Sequence, residues 1–137
     1  FKIKKKMKKV FLGGTCNDST WRDELISKLK IEYFNPVVKD WTPECQAEEI
    51  KQRETCDFVL YTITPKMTGV FAIAEVTDDS NKRPDKTVFC YLTKDEESEF
   101  VGHQIKSLNA TAKLITENGA KFFATLQEVA DYLNVQA

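Results

Sequence analysis

The chain reads as an α/β domain, a doubly wound, flavodoxin- or Rossmann-like parallel sheet of five strands with expected order 2-1-3-4-5 and helices on both faces. Three observations predict it. Short apolar runs alternate with longer helical or polar stretches along the whole length, as in successive βα units. Two of the runs, Phe58-Val59-Leu60-Tyr61 and Val88-Phe89-Cys90-Tyr91-Leu92, are near-continuous, which is what strands covered on both faces require. The first run ends in Gly13-Gly14-Thr15, the turn chemistry of a strand passing straight into a helix. Right-handed crossovers then distribute the helices over both faces.

Taken in order, Lys9–Gly13 is the first strand. Ser19 or Thr20 caps a helix to about Lys30, with Leu25, Ile26 and Leu29 on its apolar stripe. Ile31–Phe34 is a short second strand stopped by Asn35-Pro36, and Val37–Trp41 an extended loop. Thr42-Pro43-Glu44 supplies an N-cap, a first-turn proline and an acidic first turn, opening a helix to about Glu54. Strand three is Asp57–Ile63, broken by the turn residues Thr64–Gly69; a third helix is expected over about Thr68–Asp78. Asp79-Ser80-Asn81-Lys82-Arg83-Pro84 reads as a polar loop before strand four, Thr87–Leu92. A helix over roughly Glu97–Asn118, a fifth strand Lys121-Phe122-Phe123 and a closing helix Leu126–Leu133 complete the chain. No internal repeat, low-complexity tract or linker interrupts it.

A chain of 137 residues, 42% hydrophobic and 30% charged, suffices for one core without staples. A net charge of −1 argues for neither a nucleic-acid footprint nor a membrane patch. No apolar run approaches the roughly 18–20 residues of a membrane span. Residues 1–6 are expected to be a non-native or disordered basic extension, because Met7 suits a natural start; the domain is then 7–137. A basic arm for nucleic acid or phospholipid is the functional alternative. Cys16, Cys45, Cys56 and Cys90 contain no C-x-x-C pair and have no histidine at zinc spacing, so no metal is expected. Cys56 and Cys90 abut strands as core fillers, whereas Cys16 follows the Gly-rich turn and is open to solvent; free thiols suit a reducing cytoplasm.

In an open α/β sheet the loops after successive strands meet in one crevice at the carboxyl edge. That expectation brings together Gly13-Gly14-Thr15, Asn35 with Asp40 and Trp41, Thr64–Gly69 and Asp78–Arg83. Gly13, Gly14 and Thr15 let backbone N–H groups approach a phosphate or sugar oxygen. The turn is neither G-x-G-x-x-G nor a Walker sequence, so a dinucleotide or ATP site is disfavoured and no cofactor is expected. Trp41 stacks on a base or serves as a packing anchor. His103, the single histidine, lies in Val-Gly-His-Gln-Ile without a nucleophile elbow, which disfavours a Ser or Cys triad. Carboxylates remain: Glu48, Glu49, Asp57 and above all Glu75, expected within two turns of a helix N-terminus that would hold it ionised as a nucleophile. The alternative is a solvated helix residue; its neighbours Phe71, Ala72, Ile73 and Ala74 oppose an exposed face.

The blocks VFLGGT (10–15), STWR (19–22), YFNPVVKDW (33–41) and RETCDFVLYTITPKMTGVFAIAEVTDDSNKRPDKTVFCYL (53–92) resemble the nucleoside 2-deoxyribosyltransferase family, and more closely its subgroup of short "nucleoside 2-deoxyribosyltransferase-like" domains. The resemblance implies N-glycosidic chemistry. A glutamate at the Glu75 position attacks C1′ of a deoxynucleoside, expels the base and forms a glycosyl-enzyme that a second base or water resolves with net retention, as in a retaining glycosidase. It further implies that Glu49 stands where a pocket aspartate is usual and that Asp57 opens the third strand. Phe11 takes the place of a sugar-contacting tyrosine. Gly69 takes the place of a crossing-loop aspartate that protonates the base, a task left to Asp40, Glu48 or Glu49. A neighbouring subunit often completes such sites near Gly102-His103-Gln104, so a homo-oligomer is expected. Lys82 and Arg83 are read either as ligands of a 5′-phosphate or as a solvated loop.

The leading expectation is therefore a small enzyme acting on a (deoxy)nucleoside or its 5′-monophosphate by base exchange or hydrolysis, with no membrane or nucleic-acid polymer as partner. The alternative is a catalytically silent module binding nucleotides or nucleoside derivatives, favoured by Gly69 and opposed by Glu75. A flavodoxin-like carrier is a third reading, which fold alone does not exclude.

Overall fold

A computed structural model of the chain describes residues 7–16 and 18–136, so the expectations for residues 1–6 lie outside the described residues. The order of elements is β1 (Lys9–Gly14), α1 (Trp21–Ile26), β2 (Glu32–Phe34), α2 (Pro43–Thr55), β3 (Phe58–Ile63), α3 (Phe71–Lys82), a 3₁₀ turn (Pro84–Lys86) and β4 (Thr87–Tyr91). There follow β5 (Lys94–Asp95), β6 (Ser98–Glu99), α4 (Gly102–Glu117), β7 (Lys121–Phe123) and α5 (Leu126–Val135). The main sheet is parallel throughout, in the order β2-β1-β3-β4-β7. With β7 as the fifth sheet strand, this is the expected 2-1-3-4-5 arrangement.

The continuous apolar runs work because successive residues serve opposite cores. Val10, Leu12, Phe58, Leu60, Val88 and Cys90 face one side, where Trp21, Leu25, Val129 and Leu133 of α1 and α5 cover them. Phe11, Val59, Tyr61, Ile63, Phe89 and Tyr91 face the other, under Val76 of α3 and Leu108, Ala112 and Ile115 of α4. The helix α2 is different: none of its residues is buried. It is capped as its sequence requires, the Thr42 hydroxyl accepting from the Cys45 N–H at 3.2 Å with Pro43 next in line.

Several extents differ from those the sequence suggests. The α1 helix stops at Ile26, because Lys28 and Leu29 turn back to the carbonyls of Leu25 and Ile26 and the Lys30 N–H donates to the Asn134 side chain at 2.7 Å. The α3 helix begins three residues later than expected and continues through Lys82, so Asp79–Lys82 are helical and not a loop. The polar passage after β4 folds into the β5–β6 hairpin, turning at Glu96 with φ +55°. Lys66 ties the crossing loop to that hairpin through Glu96, at 2.6 Å.

Candidate active site

The floor of the site is bare backbone at the ends of β1 and β3. Gly14 adopts φ +119°, and a Cβ there would stand 2.0 Å from the Thr62 carbonyl oxygen, so only glycine lets the two chains approach this closely. Gly13 is confined as well: a Cβ would meet the Tyr61 ring at 2.7 Å. Thr15 locks the turn, its N–H donating to the Thr62 carbonyl and its hydroxyl accepting from the Thr64 N–H, each at 2.9 Å. Arg22, buried on α1, reaches back to the end of β1. Its Nε donates to the Leu12 carbonyl at 3.0 Å, Nη1 to that of Thr15 at 2.6 Å and Nη2 to that of Gly14 at 3.3 Å.

Above this floor opens a cavity of about 510 Å³, within the range of small-molecule sites. Gly13, Gly14, Cys16 and Arg22 line its base; Pro36, Val37, Val38 and Trp41 come from the loop after β2. Gln46, Glu49, Ile50 and Arg53 come from α2, and Phe71 and Glu75 from α3. A smaller chamber of about 180 Å³ adjoins it, shares Gly14, Cys16, Phe71 and Glu75, and is closed by Thr15, Met67, Thr68, Gly69 and Ala72. Glu75 thus stands between two compartments. The larger is walled by apolar and aromatic groups, including the 60%-exposed Trp41.

Glu75 is the fifth residue of α3, beyond the first turn, with 14% of its side chain exposed. Burial dominates its ionisation: desolvation, opposed by the Arg53 guanidinium and reinforced by the negative charges of Glu49 and Asp79, pushes its pKa up to about 7. The expectation that the helix N-terminus holds this carboxylate ionised is therefore corrected, because α3 starts at Phe71 and the helix-end field fades within one turn.

Behind Glu75 lies a charge network on the inner face of α3. Asp79 is fully buried and accepts from the Tyr61 hydroxyl at 2.5 Å, from Arg53 Nε at 3.2 Å, from Arg53 Nη2 at 3.0 Å and from Arg83 Nη1. Arg53 Nη2 also meets Asp78 at 3.3 Å, and its Nη1 stands 3.5 Å from Glu75 Oε2. Burial and the neighbouring Asp79 carboxylate push the Tyr61 hydroxyl far above the ordinary phenol range, so it stays a donor.

The structure unites Glu75, Glu49, Gly13, Gly14 and Trp41 on the larger cavity, and Thr15 and Gly69 with Glu75 on the smaller one. The other candidates stand elsewhere. Phe11 lies under the floor, stacked on Phe34. The Asn35 side chain accepts from the Val37 N–H at 3.0 Å and shapes the loop rather than the wall. Asp40 is exposed and lines neither cavity. Asp57 is at the start of β3, at the opposite edge of the sheet, accepting from the Lys9 N–H at 2.8 Å. Lys82 and Arg83 lie about 10 Å or more farther along α3 than Glu75, towards that same opposite edge. There Lys82 pairs with Asp78 at 3.2 Å and Arg83 with Asp79, so the expectation that residues 78–83 form a crevice loop is corrected. Arg53, Arg22, Cys16 and Phe71 are cavity residues that chemistry-based reading of the sequence leaves unassigned. His103 is exposed at the start of α4. Among the described residues, no group of three or more His, Cys, Asp or Glu is arranged to hold a metal.

A carboxylate-bearing cavity on a glycine floor, at the carboxyl edge of a doubly wound sheet, defines a small-molecule site of the α/β type. The model of the family "nucleoside 2-deoxyribosyltransferase like" matches residues 7–94, more than half of the chain, and the protein belongs to that family. The match takes in every residue lining the two cavities; most of the hairpin, α4, β7 and α5 lie beyond it. No curated protein matches the chain.

Proposed function

We propose that the protein cleaves or exchanges the N-glycosidic bond of a (deoxy)nucleoside or its 5′-monophosphate, with Glu75 as the nucleophile. The observation that carries this reading is the position of Glu75, a largely buried carboxylate between an aromatic-walled cavity and a smaller chamber on a glycine floor. The base occupies the larger cavity against Trp41, Phe71 and the valines, and the sugar lies over Gly13 and Gly14 with C1′ facing Glu75.

In the first step a Glu75 oxygen forms a bond to C1′ as the bond from C1′ to the base nitrogen breaks. The electron pair leaves with the base, which takes up a proton. Gly69 offers no acid in the smaller chamber, so Glu49, the second carboxyl group on the larger cavity, is the proposed donor. In the second step a new base or water attacks C1′ and gives up its proton to the Glu49 carboxylate, as the bond from C1′ to Glu75 breaks and Glu75 departs as carboxylate. A homo-oligomer in a reducing cytoplasm belongs to the same proposal; the exposed Val70 and Phe71 beside the site and the free cysteines support it.

The test is chromatographic. The protein is incubated with a panel of deoxynucleosides and their 5′-monophosphates, with and without a second free base. Exchanged base that disappears in Glu75→Gln identifies a transferase, and release without exchange a hydrolase. No turnover across the panel, with ligand binding retained, would replace this reading by that of a silent binding module.

A further inference from the structure

The guanidinium of Arg53 is held on one edge and open on the other. Nε and Nη2 grip both oxygens of Asp79 at 3.2 and 3.0 Å, and Asp79 is fixed in turn by the Tyr61 hydroxyl and Arg83. Such a two-point grip sets the plane of the guanidinium, not merely its position. The remaining nitrogen, Nη1, stands 3.5 Å from Glu75 Oε2, inside the cavity wall. Because α2 buries none of its own residues, this grip is also how the end of α2 is fastened to α3.

We propose that Arg53 is a positioning residue for Glu75, a cation clamped from behind by Asp79 that engages one carboxylate oxygen and leaves the other for the sugar carbon. The inference rests on Glu75 being the nucleophile. Attack on C1′ requires the carboxylate, and the second step regenerates it as the glycosyl ester breaks; a fixed cation favours the charged form in both. The groups facing Glu75 define the balance. Glu49 and Arg53 approach from α2, Asp78 and Asp79 from α3, Tyr61 lies behind from β3, and Arg22 and Cys16 share the cavity. Of the two guanidinium groups on the cavity, that of Arg22 donates to the carbonyls of Leu12, Gly14 and Thr15, and among the described residues the ion pair of Glu75 is with Arg53. Burial works against ionisation at this position, so a cation of fixed geometry has a large effect.

The test combines the pH profile of kcat/KM for base release with carbon NMR titration of the glutamate carboxyl groups, the Glu75 signal being the one missing from Glu75→Gln. In Arg53→Gln the acid limb and the Glu75 midpoint both move up by about one to two pH units. In Arg53→Lys they move by about half as much, because an ammonium cannot grip Asp79 with two nitrogens and face Glu75 with a third. A residue with a purely structural role would lower the melting temperature and leave both midpoints where they are; that result overturns the proposal. Should Arg53→Gln not fold, Arg53→Lys carries the same test with the same two outcomes. If the wild-type protein releases no base from any substrate, the nucleophile reading fails on its own. An Arg53-dependent Glu75 midpoint then still upholds the electrostatic coupling, and an unmoved one overturns it.

Discussion

Replacing Glu75 by glutamine should abolish turnover and, at alkaline pH, make the protein more stable. The carboxyl pKa rises from its ordinary 4.5 to about 7 in the folded protein, so the folded state binds the proton more tightly than the unfolded chain does. A raised carboxyl pKa has a definite sign: the folded state is favoured most below the unfolded value, and that advantage is lost as pH climbs through about 7. Each unit corresponds to about 1.4 kcal/mol, and solvent reaching the partly open cavity reduces the full figure to about 1–2 kcal/mol of destabilisation near pH 8. Glutamine copies the shape of the protonated acid and escapes the penalty. Glu75→Gln should therefore melt about 3–8 °C above the wild type near pH 8, with the gap closing towards pH 4.5. Base release should fall by more than about 10³-fold at every pH. Scanning calorimetry of the two proteins across this range is the assay. An equal or lower melting temperature for the variant near pH 8, or an offset that does not change with pH, would refute the claim that Glu75 is held against its own desolvation. Gain of stability with loss of function is the signature of a group placed for chemistry rather than for packing.

Three further variants probe the cavity walls and the charge network behind Glu75. A Cβ at Gly69 meets nothing within 4 Å, so Gly69→Asp should enter without strain and raise base release by up to about 10²-fold by supplying the acid missing from the smaller chamber; an unchanged rate in single-turnover assays would show that leaving-group protonation is not what limits the reaction. Trp41→Ala, at an exposed position, should leave the melting temperature within about 1–2 °C yet weaken substrate binding by about 3- to 10-fold, read by titration calorimetry. Arg83→Ala removes one donor from buried Asp79 and should lower stability by about 1–3 kcal/mol in urea unfolding. The same variant should leave the preference between a nucleoside and its 5′-phosphate unchanged, and a selective loss of nucleotide binding would return Arg83 to the phosphate role.

Much of the architecture is legible in the sequence because its determinants are local. The apolar strand runs, the Thr42-Pro43 cap and the glycine turn each announce themselves within a few residues, and alternation then limits the topology to a handful. The same holds for Glu75, a lone acid among small apolar residues after a turn. What escapes is whatever depends on partners far along the chain. Asp79 looks like loop because Asp-Asp-Ser-Asn-Lys is polar, yet Tyr61, Arg53 and Arg83 satisfy it in the core and carry the helix through it. The sequence carries one signal of this: Val76, Asp79, Ser80 and Arg83 share a helical stripe in which the aspartate occupies a core position. Lys82 and Arg83 stand away from the crevice for the same reason, since extending a helix by four residues carries its end to the other edge of the sheet. The Glu96 turn lacks the glycine or asparagine that usually marks a positive φ, so the hairpin leaves little trace.

The poor anchoring of α2 has a consequence for how this fold can change its diet. The glycine floor is locked by contacts that tolerate no side chain, and Glu75 stands on a helix sewn into the core. Gln46 and Ile50, by contrast, line the larger cavity from a helix that contributes no buried residue. Substitutions at these two exposed positions alter the wall of that cavity with little penalty to folding, typically within about 0.5 kcal/mol. Selection, in nature or in a library, can therefore retune which small molecule the cavity accepts through Gln46 and Ile50, while the glycine floor, Glu49, Arg53 and Glu75 stay as they are.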